Sequence, residues 1–106
     1  MGVPLDFRDM TGITFVDTIA ISKRFLSKSA VALLELLFHE MVHVVQYSIL
    51  GVERFVPEYV QGWARSGERY DAIPLEVQAY QLQAQFASGF PTAFSVEDAV
   101  RARFGS

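Results

Sequence analysis

The feature that most constrains the fold is a long apolar segment, AVALLELLFHEMVHVVQYSIL at residues 30–50, which contains neither glycine nor proline. Ser27 or Ser29 can cap the start of a helix here, and Gly51 can end it, so the segment is predicted to be one helix. Because the segment is apolar on almost every side, we expect other elements to surround it. The rest of the chain must then wrap around this central helix.

The same segment contains five polar or ionisable side chains: Glu35, His39, Glu40, His43 and Gln46. Burying these groups in hydrocarbon is costly, so the segment is predicted to be a core helix and not a membrane span. The first ten residues, MGVPLDFRDM, contain acidic side chains where an export signal has a basic region followed by an apolar one. We therefore expect a cytoplasmic protein that has no membrane partner.

Composition limits the classes of protein and of metal site that remain. A chain of 106 residues with 51% apolar and 20% charged residues is expected to form a single packed domain over residues 1–106. The net charge of −3 and the scattered lysines and arginines argue against a nucleic-acid partner. The absence of cysteine excludes disulfides and thiolate metal sites, so any metal ion must be bound by histidines and carboxylates.

Around the central helix we expect a small sheet and further helices. Residues 12–22, GITFVDTIAIS, alternate in the manner of strands with a turn near Asp17, and residues 4–7 are a candidate third strand. Helices are predicted from Pro57 to Gly67, from Pro74 to Gly89, and from Ser95 onward. The predicted fold is α+β, with a small N-terminal β-sheet packed on a mostly helical body.

The histidines of the central helix are spaced for metal binding. His39 and His43 are four positions apart, about 40° around a helix, so their rings project from one face and can share a metal ion. Catalytic zinc sites have three protein ligands and leave one position for water. The alternative is that both rings pack in the core, hydrogen-bonded to each other and to Glu35 or Glu40. We favour the metal, because adjacent buried imidazoles without a cation leave donors and acceptors unsatisfied.

Glu40 has a different role in this pattern. It lies about 100° around the helix from His39, which places it poorly as a ligand on the histidine face. Its carboxylate can still reach a water molecule beside the metal and accept a proton from it. The sequence His-Glu-x-x-His therefore indicates hydrolytic chemistry with Glu40 as general base.

The third ligand must be an acid, because the sequence holds only two histidines and position 49 is Ile49. Three acids in or beside the connector are predicted to be solvated surface charges: Glu53, Glu58 and Glu68. Glu76 differs, since it lies beside the apolar stripe of a later helix, in line with Tyr80 and Gln83. For Glu76 the alternative is an exposed first-turn acid that the helix dipole favours.

The motif HEMVH, followed further along the chain by Glu76 in IPLEVQAY, resembles the gluzincins. These are zinc metallopeptidases in which a glutamate on a second helix completes the site, and the small size is most similar to the minigluzincins. The resemblance covers roughly residues 14–89. It implies one zinc ion per chain, bound by His39, His43 and Glu76, with Glu40 as catalytic base and acid in peptide hydrolysis.

The resemblance also implies a substrate mode and further site residues. Residues 18–22 would form the upper rim of the cleft and bind an extended peptide by strand addition. Tyr70 is the candidate for stabilising the oxyanion, with three alternatives: Arg69, Tyr59 and Tyr47. Many gluzincins have an aspartate four positions after the glutamate ligand, and here Tyr80 occupies that position. Tyr80 or Glu35 would then hold a zinc histidine.

The remaining side chains are predicted to be structural. Gln46 is expected to satisfy a loop carbonyl more readily than a histidine ring, and Trp63, Phe55 and Tyr59 to form core. Three glutamines are predicted to be solvated: Gln78, Gln81 and Gln85. Two other functions stay open, namely a zinc-binding structural or interaction module and a peptidase domain that is completed by another chain.

Overall fold

The chain forms a hairpin and four helices, as seen in a computed structural model that describes residues 12–23, 29–88 and 94–105. The elements are, in order, β1 (Gly12–Phe15), β2 (Thr18–Ile21), α1 (Ala30–Leu50), α2 (Val52–Arg65), a 3₁₀ turn (Tyr70–Ala72), α3 (Pro74–Ala87) and α4 (Val96–Phe104). The predicted α+β fold is confirmed. The candidate strand at residues 4–7 lies outside the described residues.

The two strands form an antiparallel hairpin, with Gly12 opposite Ile21 and Phe15 opposite Thr18. The predicted turn near Asp17 is confirmed, since only residues 16 and 17 connect the strands. Val16 has a φ of 59°, a left-handed conformation that a β-branched residue rarely adopts. The hairpin is therefore closed by a strained residue.

Both predicted boundaries of α1 are confirmed. The Ser29 hydroxyl accepts a hydrogen bond from the Ala32 N–H at 3.1 Å and caps the first turn. At the other end Gly51 has a φ of 77°, and its N–H donates to the Tyr47 carbonyl at 2.8 Å. The predicted core helix therefore spans 21 residues without a break.

The predicted start of the second helix at Pro57 is wrong. Gly51 ends α1 and caps α2 at once, so α2 begins at Val52 and contains Pro57 in its interior. Proline lacks the N–H that would bond to the Glu53 carbonyl, and the helix continues despite the loss of that bond. The predicted end is close to the observed one, because α2 ends at Arg65 before Gly67 takes a φ of 73°.

Helix α1 is central, but it is not enclosed. It packs against both strands and the three other helices. Four of its apolar side chains nevertheless remain exposed: Val31, Leu34, Leu37 and Met41. The expectation of a surrounded helix is wrong on that face, because the described elements all pack on the faces that carry residues such as Val42 and Gln46.

Length and composition alone would allow α1 to cross a membrane, and among the described helices it is the one for which this holds. A core helix of a soluble protein meets the same criterion. In this molecule the polar residues His39, Glu40, His43 and Gln46 of α1 are buried by other parts of the chain. Their burial is the arrangement expected of a core helix.

Two apolar clusters join α1 to α3. One contains Tyr47, Phe55, Ile73 and Leu75, with the ring centroids of Tyr47 and Phe55 stacked 3.7 Å apart and with Tyr59 and Trp63 packed alongside. The predicted aromatic core is thereby confirmed. The other cluster contains Val42, Ala79 and Leu82, and the side chains that pack against it include Phe94, Val96 and Ala99. These clusters fix the separation of the two helices that carry the site.

Candidate metal centre

Three side chains that the sequence analysis selected come together between α1 and α3. The Nε2 atoms of His39 and His43 lie 2.8 and 3.0 Å from the same oxygen, Oε1 of Glu76. One ligand atom from each residue lies within 4.8 Å of the other two. The residues are 5%, 4% and 1% exposed, respectively. This buried group can hold a metal ion.

Glu76 is not the exposed first-turn acid of the alternative interpretation. Pro74 occupies the first turn of α3, and the fully buried Ile73 and Leu75 anchor the chain on either side of it. The backbone of Gly62 in α2 closely approaches this start, since a Cβ atom on Gly62 would lie 2.9 Å from Cδ of Pro74. These contacts turn the Glu76 carboxylate inward, whereas Glu53 and Glu68 are exposed as predicted.

Gln46 fixes the protonation of His43. Nδ1–H of His43 donates to Oε1 of Gln46 at 2.7 Å, while Nε2 of Gln46 donates to the Leu75 carbonyl at 3.0 Å. A carbonyl oxygen can only accept, so this bond favours the amide orientation in which the Gln46 oxygen faces the ring. Gln46 therefore bonds both to a histidine ring and to a backbone carbonyl. That carbonyl belongs to the first turn of α3 and not to a loop, so the predicted preference for a loop carbonyl over the ring is wrong.

Gln83 is the corresponding partner of His39. Nδ1–H of His39 donates to Oε1 of Gln83 at 2.8 Å. Tyr80 and Glu35, the predicted partners, do not take this position. The Tyr80 ring packs on the His39 ring with centroids 4.5 Å apart, which leaves Nδ1 to the side chain one turn further along α3. The i+7 spacing of Gln83 from Glu76 was the sequence signal for this contact.

The donor set calls for a cation. With a proton on each Nδ1, a neutral imidazole presents a lone pair at Nε2, and both Nε2 atoms face a carboxylate oxygen. Lone pairs this close repel unless a metal ion or additional protons lie between them. Two imidazole nitrogens and one carboxylate suit a transition metal, whereas calcium and magnesium prefer oxygen ligands. The residues fit a bound transition-metal ion.

The Glu76 carboxylate has a further partner in Tyr59, whose hydroxyl donates to Oε2 at 2.6 Å. Without a metal ion, protons on the two Nε2 atoms take its place. Burial alone would raise the pKa of Glu76, but the hydrogen bonds that His39, His43 and Tyr59 then donate and the positive charge of His43 outweigh it and lower the pKa below 4.5. Burial and the Glu76 charge in turn raise the pKa of Tyr59. Glu76 is therefore an anion with both oxygens engaged.

Tyr70 lies beside this tyrosine, with the centroids of the Tyr59 and Tyr70 rings 6.1 Å apart. Burial, followed by the negative charge of Glu76, raises the pKa of the Tyr70 hydroxyl. The hydroxyl thus keeps its proton and can donate a hydrogen bond near the site. Its role toward an oxyanion stays a prediction.

Glu40 is also buried, at 5% exposure, but its partner comes from the hairpin. The hydroxyl of Thr14 in β1 donates to Oε1 of Glu40 at 2.7 Å and lies 3.1 Å from the Glu40 carbonyl. The other oxygen, Oε2, faces Gly12, where an added Cβ would lie 3.4 Å away. Sequence reasoning missed Thr14, although its alternating position in the strand was the available signal.

The predicted solvation of Gln78 is wrong. Gln78 is 6% exposed, and its Nε2 donates to the Ala99 carbonyl of α4 at 3.0 Å. The reason is that α4 packs over this side of α3, which an analysis of α3 alone could not show. Gln81 is exposed, as predicted.

No protein-family model, curated protein or solved structure matches this chain. A set of two histidines and one glutamate occurs in more than one class of zinc protein. The resemblance to gluzincins therefore stays a prediction that is based on the motif.

Proposed function

We propose that this chain is a zinc-dependent metallopeptidase of the gluzincin type, which hydrolyses peptide bonds in the cytoplasm. One observation carries the proposal. The Nε2 atoms of two histidines converge on the Glu76 carboxylate, and a glutamine side chain holds the Nδ1 atom of each ring. A second buried carboxylate, that of Glu40, follows His39 directly in α1. A purely structural core would not need a set of three metal ligands together with a separate buried carboxylate that can accept a proton.

Zinc is the proposed metal because two neutral imidazoles and one carboxylate are a common set in zinc hydrolases. His39, His43 and Glu76 would hold one ion per chain. Among the described residues no further histidine, cysteine or acid joins this group, which leaves the fourth zinc position for a non-protein ligand. When bound, zinc supplies the Lewis acidity that activates water toward a carbonyl carbon.

Glu40 is the proposed general base. Its Oε1 accepts the Thr14 hydrogen bond, which fixes the carboxylate, while Oε2 has no hydrogen-bond partner in the part of the chain that the structure describes. Oε2 is therefore the atom that we expect to accept the proton of the attacking water and to return it to the leaving amine. The neutral hydroxyl of Tyr70 is proposed to stabilise the oxyanion.

The proposed substrate is a peptide or protein segment in extended form, and neither a nucleic acid nor a membrane. The hairpin supports this choice, because β1 contacts Glu40 through Thr14 and thus lies at the site. A two-stranded sheet has unpaired backbone groups on its outer edges, to which an extended peptide can add as a further strand.

A second candidate is a structural or interaction module that is stabilised by zinc. Its supporting observation is burial, since His39, His43, Glu76 and Glu40 are all at most 5% exposed. Structural zinc sites are closed in this way, whereas catalytic ones keep an open position.

Zinc stoichiometry and peptide cleavage separate the two candidates. We expect about one zinc per wild-type chain, zinc retention with cleavage reduced by about 10²–10⁴ in Glu40→Gln, and sharply weaker zinc binding in Glu76→Ala. Glu53→Gln, an exposed acid, is the matched control and should leave both properties unchanged. Equal cleavage by Glu40→Gln would remove the proposed mechanism. Zinc binding without any cleavage would favour the structural module.

A further inference from the structure

A chain of buried hydrogen bonds leads from His43 to the last helix. His43 Nδ1–H donates to Gln46 Oε1 at 2.7 Å, Gln46 Nε2 donates to Gln78 Oε1 at 2.9 Å, and Gln78 Nε2 donates to the Ala99 carbonyl at 3.0 Å. Gln46 is 0% exposed and Gln78 is 6% exposed. Two amides thus connect a candidate metal ligand in α1, through α3, to the backbone of α4. We call Gln46 and Gln78 the amide relay.

Every hydrogen bond in the amide relay has one direction only. The Ala99 carbonyl can only accept, so the NH₂ group of Gln78 must face α4 and its oxygen must face Gln46. The Gln78 oxygen accepts a hydrogen bond from the NH₂ group of Gln46. The Gln46 oxygen therefore faces His43 and accepts a hydrogen bond from its ring. The position of the Ala99 carbonyl therefore helps to determine which ring nitrogen of His43 carries the proton.

We propose that the amide relay couples the metal site to the docking of α4, so that metal affinity is high only while α4 is in place. The inference rests on the proposed function only in that His43 binds the metal. With α4 docked, His43 is held as the Nδ1–H tautomer and its Nε2 is free to be a ligand. This is a means of regulating the site from the far side of α3.

Release of α4 would loosen this control. Without the Ala99 carbonyl the Gln78 amide can rotate and present its NH₂ group to Gln46, which disfavours the present orientation of the Gln46 amide. The Leu75 carbonyl still holds Gln46, so we expect a weaker preference and not a complete reversal. His43 then spends part of its time as the Nε2–H tautomer, which cannot bind a metal through Nε2, the ring nitrogen that faces the site.

The two histidines differ in this respect. His39 is oriented by Gln83, which belongs to α3 as Glu76 does, so its contact stays within the pair of helices that form the site. His43 alone is connected to α4 among the described contacts of the three ligands. Helix α4 is short, with nine residues and Val100 as its one buried side chain, which is typical of an element that opens before the rest of a fold.

Coupling of this kind is reciprocal, so a bound metal ion must also stabilise the docking of α4. We propose to test both directions in the full chain with Gln78→Met, which fills the same space but cannot continue the relay. Gln81→Met is the matched control, because Gln81 is an exposed glutamine of the same helix. Gln78→Asn is a second test variant, since its shorter amide cannot bridge Gln46 and Ala99.

The first measurement is zinc affinity in competition with a chromogenic chelator, together with ¹⁵N NMR of the His43 ring in the zinc-free protein at a pH high enough for the ring to be neutral. We expect about tenfold weaker zinc binding and a new Nε2–H population in Gln78→Met and Gln78→Asn, with wild-type values in Gln81→Met. A purely structural role for Gln78 would lower stability without changing the tautomer. Wild-type zinc affinity in both Gln78 variants would overturn the proposal.

The second measurement is hydrogen exchange with and without zinc. In the wild type, zinc should slow exchange at the amides of 96–104 more than at those of α2, and Gln78→Met should remove this excess. An equal effect of zinc on both helices in the wild type would also overturn the coupling. If the wild type binds no zinc at all, the proposed function fails instead, so the two failures are distinguishable.

Discussion

Two buried glutamates, Glu40 and Glu76, have partners that suit different tasks. The Glu76 carboxylate is contacted by two imidazole rings and a tyrosine hydroxyl, so both of its oxygens are engaged. Glu40 receives a hydrogen bond from Thr14 at one oxygen only. A ligand needs fixed oxygens and a base needs one with spare capacity, so these surroundings support the proposed assignment of roles.

Thr14→Val tests the support of the base. The substitution keeps the shape of the side chain but removes the hydroxyl that holds Glu40 Oε1, and we expect a loss of about 1–3 kcal/mol of stability and about a tenfold lower kcat. Zinc affinity should not change, because Thr14 contacts none of the three ligands. Peptide cleavage assays and zinc titration check this, with the exposed Glu53→Gln as the control. Unchanged kcat would show that the hydrogen bond from Thr14 does not contribute to the action of Glu40 as the base.

The loss of stability with rising pH should disappear when zinc is present. Burial lowers the pKa of His43, but the hydrogen bond to Glu76 and the Glu76 charge outweigh it and raise the pKa above 6.5. A raised pKa in the folded state stabilises the zinc-free fold below the unfolded-state pKa, and this contribution is lost as the pH rises through the folded-state pKa. Zinc instead requires unprotonated Nε2 atoms and binds more tightly as the pH rises.

Thermal unfolding in EDTA and in excess zinc, from about pH 6 to about pH 9, measures this difference. We expect the melting temperature of the zinc-free chain to fall with pH over the range in which His43 loses its proton. The zinc-bound chain should gain stability relative to it over the same range. Parallel curves would show that zinc and protons do not compete for the histidines.

At this scale the sequence could predict the ligands but not the groups behind them. The spacing of His39 and His43 is a property of one helix, and Glu76 lies at the edge of an apolar stripe, so both are visible in a local pattern. The partners of Gln46 come from its own helix and from α3, and Gln78 in turn bonds to α4. No local period contains that information, because it depends on how α3 and α4 pack.

Among the elements, the contact between α2 and the start of α3 positions Glu76. Gly62 lets the two helices approach, since a Cβ on it would lie 2.9 Å from Pro74 Cδ and 3.2 Å from Ile73 Cγ2. A contact below 3 Å requires the chain to move. Helix α2 therefore determines where the first turn of α3, and with it the carboxylate of Glu76, can lie.

Gly62→Ala should destabilise the protein, although glycine to alanine in a helix ordinarily stabilises it by up to about 1 kcal/mol. We expect a net loss of about 1–3 kcal/mol from overpacking and weaker zinc binding from the displaced Glu76. Urea unfolding and zinc titration measure both quantities. Gln61→Ala, at an exposed neighbouring position, is the control for helix propensity. A stabilised Gly62→Ala protein would show that the contact is not tight.

The elements themselves were largely predictable, with two informative exceptions. The period of apolar residues and the positions of Ser29, Gly51 and Pro74 predicted three helix boundaries, because caps and breakers act locally. Pro57 misled because tertiary contacts keep a helix intact across one missing hydrogen bond. The exposed apolar face of α1 was also unexpected, because an apolar sequence does not reveal which of its sides is covered.

Across the whole molecule, the candidate site connects nearly every element. The hairpin contacts it through Thr14, α1 supplies both histidines, α2 contributes Tyr59, α3 supplies Glu76, and the amide relay ends on α4. A ligand that binds only the folded state stabilises that state by mass action. Metal at this point should therefore stabilise the complete fold and not only one helix pair.

Removal of zinc should lower the melting temperature considerably. At a free zinc concentration about a thousand times Kd the stabilisation is about 4 kcal/mol, which corresponds to roughly 15 °C or more for a domain of this size. Calorimetry in excess zinc and after dialysis against EDTA measures the difference. Glu76→Ala should show little response to zinc, and a response equal to that of the wild type would place the metal elsewhere.

The direct connection of α1 to α2 at Gly51 also fixes the rotational phase between the two helices. Gly51 is both the C-cap of the first helix and the N-cap of the second, so the two helices are joined by this one residue and not by a loop. A single inserted residue would rotate the second helix by about 100° and move the Tyr59 hydroxyl away from the Glu76 carboxylate, to which it donates a hydrogen bond. The length of this junction is thus as strictly determined as the identity of the ligands.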